Sequence, residues 1–328
     1  MKKIAVVTGG CGFIGSHMVE YLISKNYFIN IIDNMSVGSM HNLRHLNSKD
    51  FKIFKKDIVN MNFEPSIFKN VEFVFHFAGK GDIVPSINFP QEYINVNVNG
   101  TLNILRNSVK YKIKKFIYAA SSSCYGIPKK YPTKETENIN PQYPYALSKY
   151  MGEQLVLHWA KVYKLKCNSI RIFNAYGLRS KTTGAYGSVI GTFMKQKIEK
   201  KPLTLVGDGN QKRDFINVKD LVKAFYLSAK SKFHSQIYNV GSGKPVSINY
   251  LIKLIESKTI RIPKRPSEPD ITHANISKIK RELKWQPEIS FEDGIREIMQ
   301  NIEYWKTAPL WNKKNIAKAT EDWFKYLS

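Results

Sequence analysis

A doubly wound parallel α/β sheet, followed by a smaller and less regular α/β domain, is the fold this sequence predicts. Two observations carry that prediction. Short apolar runs bounded by turn residues alternate with stretches of helical period, and a glycine-spaced turn separates the first such run from the first helix. The length agrees, because 328 residues exceed the roughly 250–300 at which a single hydrophobic core stops growing.

The strands are read at residues 4–7, 28–32, 71–77, 115–120 and 167–173, with helix-period stretches at 16–24, 93–111 and 148–163 between them. Strands alternating with helices of this length require right-handed crossovers, which cover both faces of a parallel sheet. After Asn174 the rhythm changes to Gly- and Pro-punctuated segments with shorter helices. Residues 220–230 and 236–240 read as a helix and a strand that return to the first domain, so the division is not clean along the chain. No internal repeat or low-complexity linker interrupts it.

Immediately after the first strand stands Thr8-Gly9-Gly10-Cys11-Gly12-Phe13-Ile14-Gly15, with a helix opening beyond it. Glycines three apart permit a tight turn, close backbone approach to a pyrophosphate, and close helix-to-strand packing, with the phosphates against the helix N-terminus. The spacing is G-x-x-G-x-x-G rather than the G-x-G-x-x-G form. The second strand ends in Asp33, 18 residues past Gly15. A carboxylate there accepts hydrogen bonds from the adenosine ribose and repels a 2′-phosphate, which favours NAD over NADP. A third element, 51–54, leads to Asp57-Ile58, placed to meet the adenine edge. The first half is therefore read as a Rossmann-type dinucleotide-binding domain.

Tyr145 and Lys149 stand four residues apart, so on a helix they share a face. An ammonium beside a phenol favours the phenolate and is expected to lower the tyrosine pKa from about 10 toward neutrality, where it can act as a general base. Such a pair also occurs on ordinary exposed helix faces. Ser121-Ser122-Ser123 follows the strand ending Tyr118-Ala119-Ala120, and strand C-termini form the ligand crevice of a doubly wound sheet. These hydroxyls are therefore expected to face the same crevice as the glycine turn, the alternative being a helix cap or loop filler.

Composition narrows the class further. Cys11, Cys124 and Cys167 are too few and too scattered for a disulfide framework or a zinc site, so no metal is expected and a reducing, cytoplasmic compartment is. No apolar run approaches the roughly 18–20 residues of a membrane helix, and residues 4–7 run straight into glycines, as a first strand does and a signal peptide does not. The 51 Lys plus Arg against 26 Asp plus Glu leave a net charge of +25. That excess attracts polyanions in general. It is scattered as Lys-Lys pairs, however, with no nucleic-acid-binding signature, so no nucleic-acid partner is expected.

Taken together, these motifs resemble the extended short-chain dehydrogenase/reductase family, in particular its nucleotide-sugar epimerase branch. The resemblance spans residues 3 to about 300. It rests on TGGCGFIG (8–15), FHFAG (75–79), NVNGT (97–101), SSSCYG (121–126), YPYALSK (143–149), RIFNAYG (171–177) and KRDFINVKD (212–220). It implies that Tyr145 removes a sugar hydroxyl proton while the carbon gives hydride to NAD, that Lys149 tunes that tyrosine and holds the nicotinamide ribose, and that Ser121 bonds the sugar oxygen. For the cofactor it implies Gly9, Gly12, Phe13, Ile14, Gly15, Asp33, Asn34, Asp57, Ile58, Phe77, Ala78, Gly79, Lys80 and Asn97. For the substrate, a nucleoside-diphosphate sugar with uridine as default, it implies Ser121, Ser122, Ser123, Tyr145, Asn174, Thr204, Val206, Arg213, Arg265 and Thr272.

Arginine suits a pyrophosphate because its planar fork gives paired, charge-assisted bonds. For Arg213 the alternative is a surface ion pair with Asp214. At Arg265 the sequence departs from the family, with Ser267 and Glu268 in place of the usual glycine and aspartate. The branches that dehydrate or decarboxylate carry an acid where this chain has Ser122 and Ser123, so epimerisation, expected at C4, is the reading. A 2-epimerase, a reductase or, further off, a dehydratase or decarboxylase remain the alternatives.

Thr272 occupies a gate position that is small in members admitting N-acetylated sugars, and SSSCYG and Gly184-Ala185-Tyr186 also resemble the N-acetylhexosamine and uronate 4-epimerases. The sugar stays open between hexose, N-acetylhexosamine and uronate. The implied domains are 1–175 for NAD and 176–315 for the nucleotide sugar, with segments around 215–242 returning to the first, and a tail at 316–328. The helices at 93–111 and 148–163 resemble those that form a four-helix dimer interface, which implies a homodimer.

Overall fold

The computed structural model describes residues 2–60, 62–180 and 188–328. The Gly184-Ala185-Tyr186 stretch lies outside the described residues.

In chain order the first strands are β1 (Lys3–Thr8), β2 (Tyr27–Ile32), β3 (Phe51–Phe54), β4 (Val71–His76), β5 (Lys115–Ser121) and β6 (Cys167–Ile172). Four short strands follow, β7 (Asn174–Tyr176), β8 (Leu203–Val206), β9 (Lys212–Arg213) and β10 (Phe215–Asn217), before β11 (Gln236–Val240), β12 (Val246–Ser247) and β13 (Thr259–Ile262). The central sheet has the order β11-β6-β5-β4-β1-β2-β3 and is parallel throughout. The strand read at 236–240 thus forms its edge, with Tyr238 opposite Ile170. Strand order reverses at β1, between β4 and β2, which opens the crevice where such sheets bind ligands.

Parallel strands buried on both faces read as continuous apolar runs, and β5 is buried along its whole length. One face packs α1 (Phe13–Ser24) and, further along the chain, the helix Val218–Lys230, which lie against each other. Helices α2 (Pro65–Phe68), α3 (Pro90–Ile94), α4 (Thr101–Lys110) and α5 (Pro144–Tyr163) come next in sequence, and α4 and α5 cover the other face. Each fully buried Ile, Leu, Val or Phe on these faces contributes about 1.5–3 kcal/mol.

The helix expected at 93–111 runs without a break through residue 110, but it is not α-helical throughout. Residues Asn95–Gly100 form a π-helical segment between α3 and α4. Helix α5 passes close to it at Gly152, where a Cβ would lie 2.2 Å from Tyr118 Oη and 2.9 Å from the Asn97 carbonyl. π segments of this kind often mark functional sites, and this one turns the Asn97 side chain toward α5 and the loop after β4. Beneath it, His76 is buried between the Thr8 and Thr101 hydroxyls, at 2.7 and 3.0 Å. Burial pushes its pKa down to about 3, so the ring is a neutral structural tie.

The second half packs α6 (Val189–Ile198), α8 (Ile248–Ile255) and α10 (Phe291–Gln300) around small two-stranded sheets, whereas α7 (Val218–Lys230) and α9 (Ser277–Leu283) return to the central sheet. The final stretch, which the sequence motifs do not interpret, folds as α11 (Lys313–Ala319) and α12 (Glu321–Leu327) and buries Trp311 and Trp323.

Candidate active site

The glycine turn closes on itself. Gly9 adopts a left-handed φ of 68°, and its carbonyl accepts the Gly12 N–H at 3.1 Å. A Cβ on Gly15 would lie 2.0 Å from that same carbonyl oxygen, which forces glycine where α1 meets the turn. The first-turn amides of α1, from Phe13 and Ile14, have no acceptor within their own helix and head the crevice. This cradle, which a side chain at Gly9 or Gly15 would fill, fits a dinucleotide pyrophosphate.

Asp33 lies beside it, buried, its two oxygens accepting the Cys11 and Met35 N–H groups at 2.9 Å each. Those bonds use one lone pair per oxygen and fix the carboxylate with others left to accept from a ribose. Asn34 donates to Asp57 at 2.9 Å, joining the ends of β2 and β3, whereas the Ile58 side chain is buried beneath Gly100.

After β4, the Ala78 N–H donates to Thr8 Oγ1 at 3.1 Å, and Phe77 packs on Phe225 with ring centroids 4.6 Å apart. Asn97 joins this loop to α5: it accepts the Lys80 N–H at 2.8 Å and donates to the Lys80 carbonyl at 3.1 Å and Ser148 Oγ at 2.9 Å. A Cβ on Gly79 would lie 2.7 Å from Asn97 Oδ1 and 3.8 Å from Lys149 Nζ. The Lys80 ammonium pairs with the exposed Glu92 and lies over the Tyr93 ring.

Tyr145 and Lys149 share the inner face of α5, and Ser121 ends β5 within hydrogen-bonding reach of the Tyr145 phenol. Pro144 at the first helical position starts α5 just ahead of the tyrosine. The expected lowering of the Tyr145 pKa is not what this geometry produces. Burial holds the phenol above its ordinary value, the Ser121 bond pulls it down, and the negative charge of Asp82 pushes it up. Lys149 Nζ lies 4.6 Å from the Tyr118 ring centroid, and burial lowers its own pKa to about 8 against the opposing charge of Glu153. Burial thus favours the neutral form of both groups.

Ser122–Tyr125 form a 3₁₀ turn capped by Ser121, whose Oγ accepts the Ser123 N–H at 3.2 Å and donates to Ser123 Oγ at 3.0 Å. Tyr125 locks that turn, bonded at 2.7 Å to Asn239 and at 2.8 Å to Arg171, whose guanidinium meets Glu153 at 2.6 Å. Sequence reasoning missed this buried Arg171–Glu153 pair, although Arg171 stands in a quoted motif. It also missed Tyr143, whose ring stacks on Tyr145 at 6.5 Å and 8°, and Tyr93, which meets Tyr145 edge-on.

A cavity of about 390 Å³ opens beyond this constellation. Ser122, Ser123 and Tyr143 line one side; Asn174, Thr204, Val206, Arg213, Arg265 and Thr272 line the other. Every residue expected at the substrate, apart from the deeper Ser121 and Tyr145, borders this one space. Thr272 Oγ1 accepts the Asp214 N–H at 3.0 Å and donates to Asn174 Oδ1 at 2.8 Å, leaving the Asn174 amide donors for a ligand. Thr204 is tied to Gln196 at 2.9 Å.

Asp214 turns inward onto the Ser242, Gly243 and Ala274 amides, so it is no partner for Arg213. Both cavity arginines meet Glu268 instead, Arg213 at 3.7 Å and Arg265 at 2.8 Å. The two guanidiniums therefore stand together at the cavity, held by one carboxylate.

A doubly wound sheet with a glycine cradle and a Ser-Tyr-Lys constellation beside a cavity lined by two arginines defines an extended short-chain dehydrogenase/reductase. The chain belongs to the family described as GDP-mannose 4,6 dehydratase, which it matches over residues 6–298. It is 36% identical over 301 residues to a putative UDP-glucose 4-epimerase of Methanocaldococcus jannaschii, covering 90% of this chain and 96% of that one. It is 33% identical over 309 residues to UDP-glucuronic acid decarboxylase 1 of Arabidopsis thaliana, covering 90% and 69%. The solved UDP-N-acetylglucosamine 4-epimerase of Methanobrevibacter ruminantium M1, in complex with UDP-N-acetylmuramic acid, superposes with a TM-score of 0.86 at 34% identity, covering 93% and 99%. Such relatives span more than one reaction, so the site has to choose among them.

Proposed function

We propose that this chain is an NAD-dependent epimerase of a nucleoside-diphosphate sugar, a UDP-hexose 4-epimerase acting through a transient 4-keto sugar. The observation that carries this reading is the convergence of Ser121, Tyr145 and Lys149 beside a cavity whose adjoining turn offers the Ser122 and Ser123 hydroxyls and no carboxylate. Eliminations need a positioned acid for a second proton transfer; epimerisation needs one proton shuttled on and off one oxygen.

In this reading residues 1–175 hold NAD and 176–315 hold the nucleotide sugar. When bound, NAD supplies the reversible removal and return of hydride at the sugar carbon. Tyr145 takes the proton of the C4 hydroxyl and gives it back, and Ser121 holds the same oxygen in line. Lys149, while protonated, steadies the phenolate. Arg213 and Arg265 anchor the diphosphate while the keto sugar turns to present its other face. Three buried, unpaired thiols suit a reducing cytoplasm. Leu147 and Met151 stand exposed on α5, an apolar face suited to a second copy in a homodimer.

The test is incubation of the purified protein with UDP-glucose, UDP-N-acetylglucosamine and UDP-glucuronate separately, followed by chromatography for the C4 epimers. The expected result is a C4 epimer from at least one sugar with no added reductant. Stoichiometric consumption of added reduced nicotinamide would instead establish a reductase, and a shortened sugar would establish a decarboxylase.

A further inference from the structure

We infer that the C-terminal helical pair is part of the substrate site, with Trp323 as a positioning residue for the turn that carries Arg265. The inference rests on the reading of the cavity as a nucleotide-sugar site. Helices α11 and α12 lie beyond residue 298, where the family match ends, so the motifs shared with the family do not account for them.

Trp323 is almost completely buried and touches both walls of the cavity. Its ring lies 5.1 Å from that of Tyr143, the stacking partner of Tyr145. Its indole Nε1 donates to the Pro266 carbonyl at 3.0 Å, on the opposite wall. Around it, Trp311 and Ile316 pack with Val84 and Ile262, and Asn88 bonds to Asp322. The pair therefore runs behind the cavity mouth and ties the loop after β4 to the loop after β13.

The turn it grips is unusual. Ser267 sits at a φ of 59°, the left-handed region that serine adopts reluctantly and glycine freely. Two hydrogen bonds to α12 hold it there, the one from Trp323 to Pro266 and one from Ser267 Oγ to the Leu327 carbonyl at 3.0 Å. Arg265 and Glu268 flank this strained pair and face the cavity. Ser267, which stands where the family has glycine, and α12 thus form one arrangement: the serine gives α12 a handle, and α12 keeps the serine in place.

The experiment compares full-length wild type with Trp323→Ala, Trp323→Phe, Ser267→Gly and the Trp323→Ala/Ser267→Gly double variant. UDP affinity by titration calorimetry, turnover and bound NAD are read for each. Trp323→Ala is expected to weaken UDP and raise KM by about tenfold, with kcat changed less than about threefold and NAD content unchanged. Trp323→Phe, which keeps the Tyr143 contact and loses the bond to Pro266, should fall between.

The decisive arm is the double variant. With the strain relieved by glycine, UDP affinity in the double variant should recover by about threefold or more relative to Trp323→Ala. Unchanged UDP affinity in Trp323→Ala overturns the inference, and so does a loss accompanied by lost NAD that Ser267→Gly does not recover. Because UDP binding is measured without turnover, a wild type that binds UDP and epimerises nothing would sink the proposed reaction and leave this inference standing.

Discussion

Replacing Tyr145 by phenylalanine is expected to lower kcat by about a thousandfold, on the order of 4 kcal/mol of lost transition-state stabilisation, while NAD stays bound and KM barely moves. The substitution is clean because the ring is held by shape. It stacks on Tyr143 at 6.5 Å and meets Tyr93 edge-on at 6.3 Å, and phenylalanine keeps both contacts. What is lost is the hydroxyl that Ser121 bonds, the one that carries the sugar proton in the proposed mechanism. Removing one hydroxyl from this site should change folding stability by no more than about 1 kcal/mol. A variant that keeps more than about a tenth of wild-type turnover would show that another group moves the proton, because general-base contributions run to about a hundredfold or more.

Gly15→Val should abolish NAD retention. The first added carbon would stand 2.0 Å from the Gly9 carbonyl oxygen and 2.7 Å from its carbon, and neither backbone atom can yield without opening the turn. Moving α1 away from the turn withdraws the Phe13 and Ile14 amides from the phosphates and overpacks the crevice, at a cost of about 1–3 kcal/mol in stability. Gly12→Ala is the informative contrast. Its Cβ meets the same oxygen at 3.2 Å, a distance that a shift of a few tenths of an ångström accommodates. It should therefore cost the fold little while still crowding the pyrophosphate. Cofactor content of the purified proteins, with thermal melts alongside, reads both effects. Gly15→Val protein that carries NAD like wild type would show that the turn is structural only.

The legible parts of the molecule are those in which local sequence and tertiary environment agree. The central strands announce themselves because burial on both faces demands unbroken apolar runs, as in β1 and β5. The glycine turn was readable because a left-handed Gly9 and a Cβ-free Gly15 leave no alternative residue. The illegible parts depend on contacts between distant segments. Nothing in Asn95–Gly100 itself predicts a π segment, and its close approach to α5 at Gly152 brings together residues more than fifty positions apart.

The direction of the Tyr145 shift was misjudged for a similar reason. Spacing reveals the Lys149 neighbour four residues on, whereas burial by Tyr93, Tyr143 and the chain around them does not show in a one-dimensional pattern. Glu268, serving both Arg213 and Arg265, and Trp323, reaching Pro266 from the far end of the chain, belong to the same class of contact.

The most direct measurement of the central claim, that one carbon is oxidised and re-reduced within one site, uses whichever UDP-sugar the protein turns over, labelled with deuterium at C4. Mass spectrometry of the product formed in ordinary water, with the absorbance of reduced nicotinamide followed in parallel, reads the fate of the label. The account predicts a C4 epimer that keeps its deuterium, with no net reduced nicotinamide at completion. Label lost to solvent, inversion at another carbon, or steady consumption of added reduced nicotinamide would contradict it.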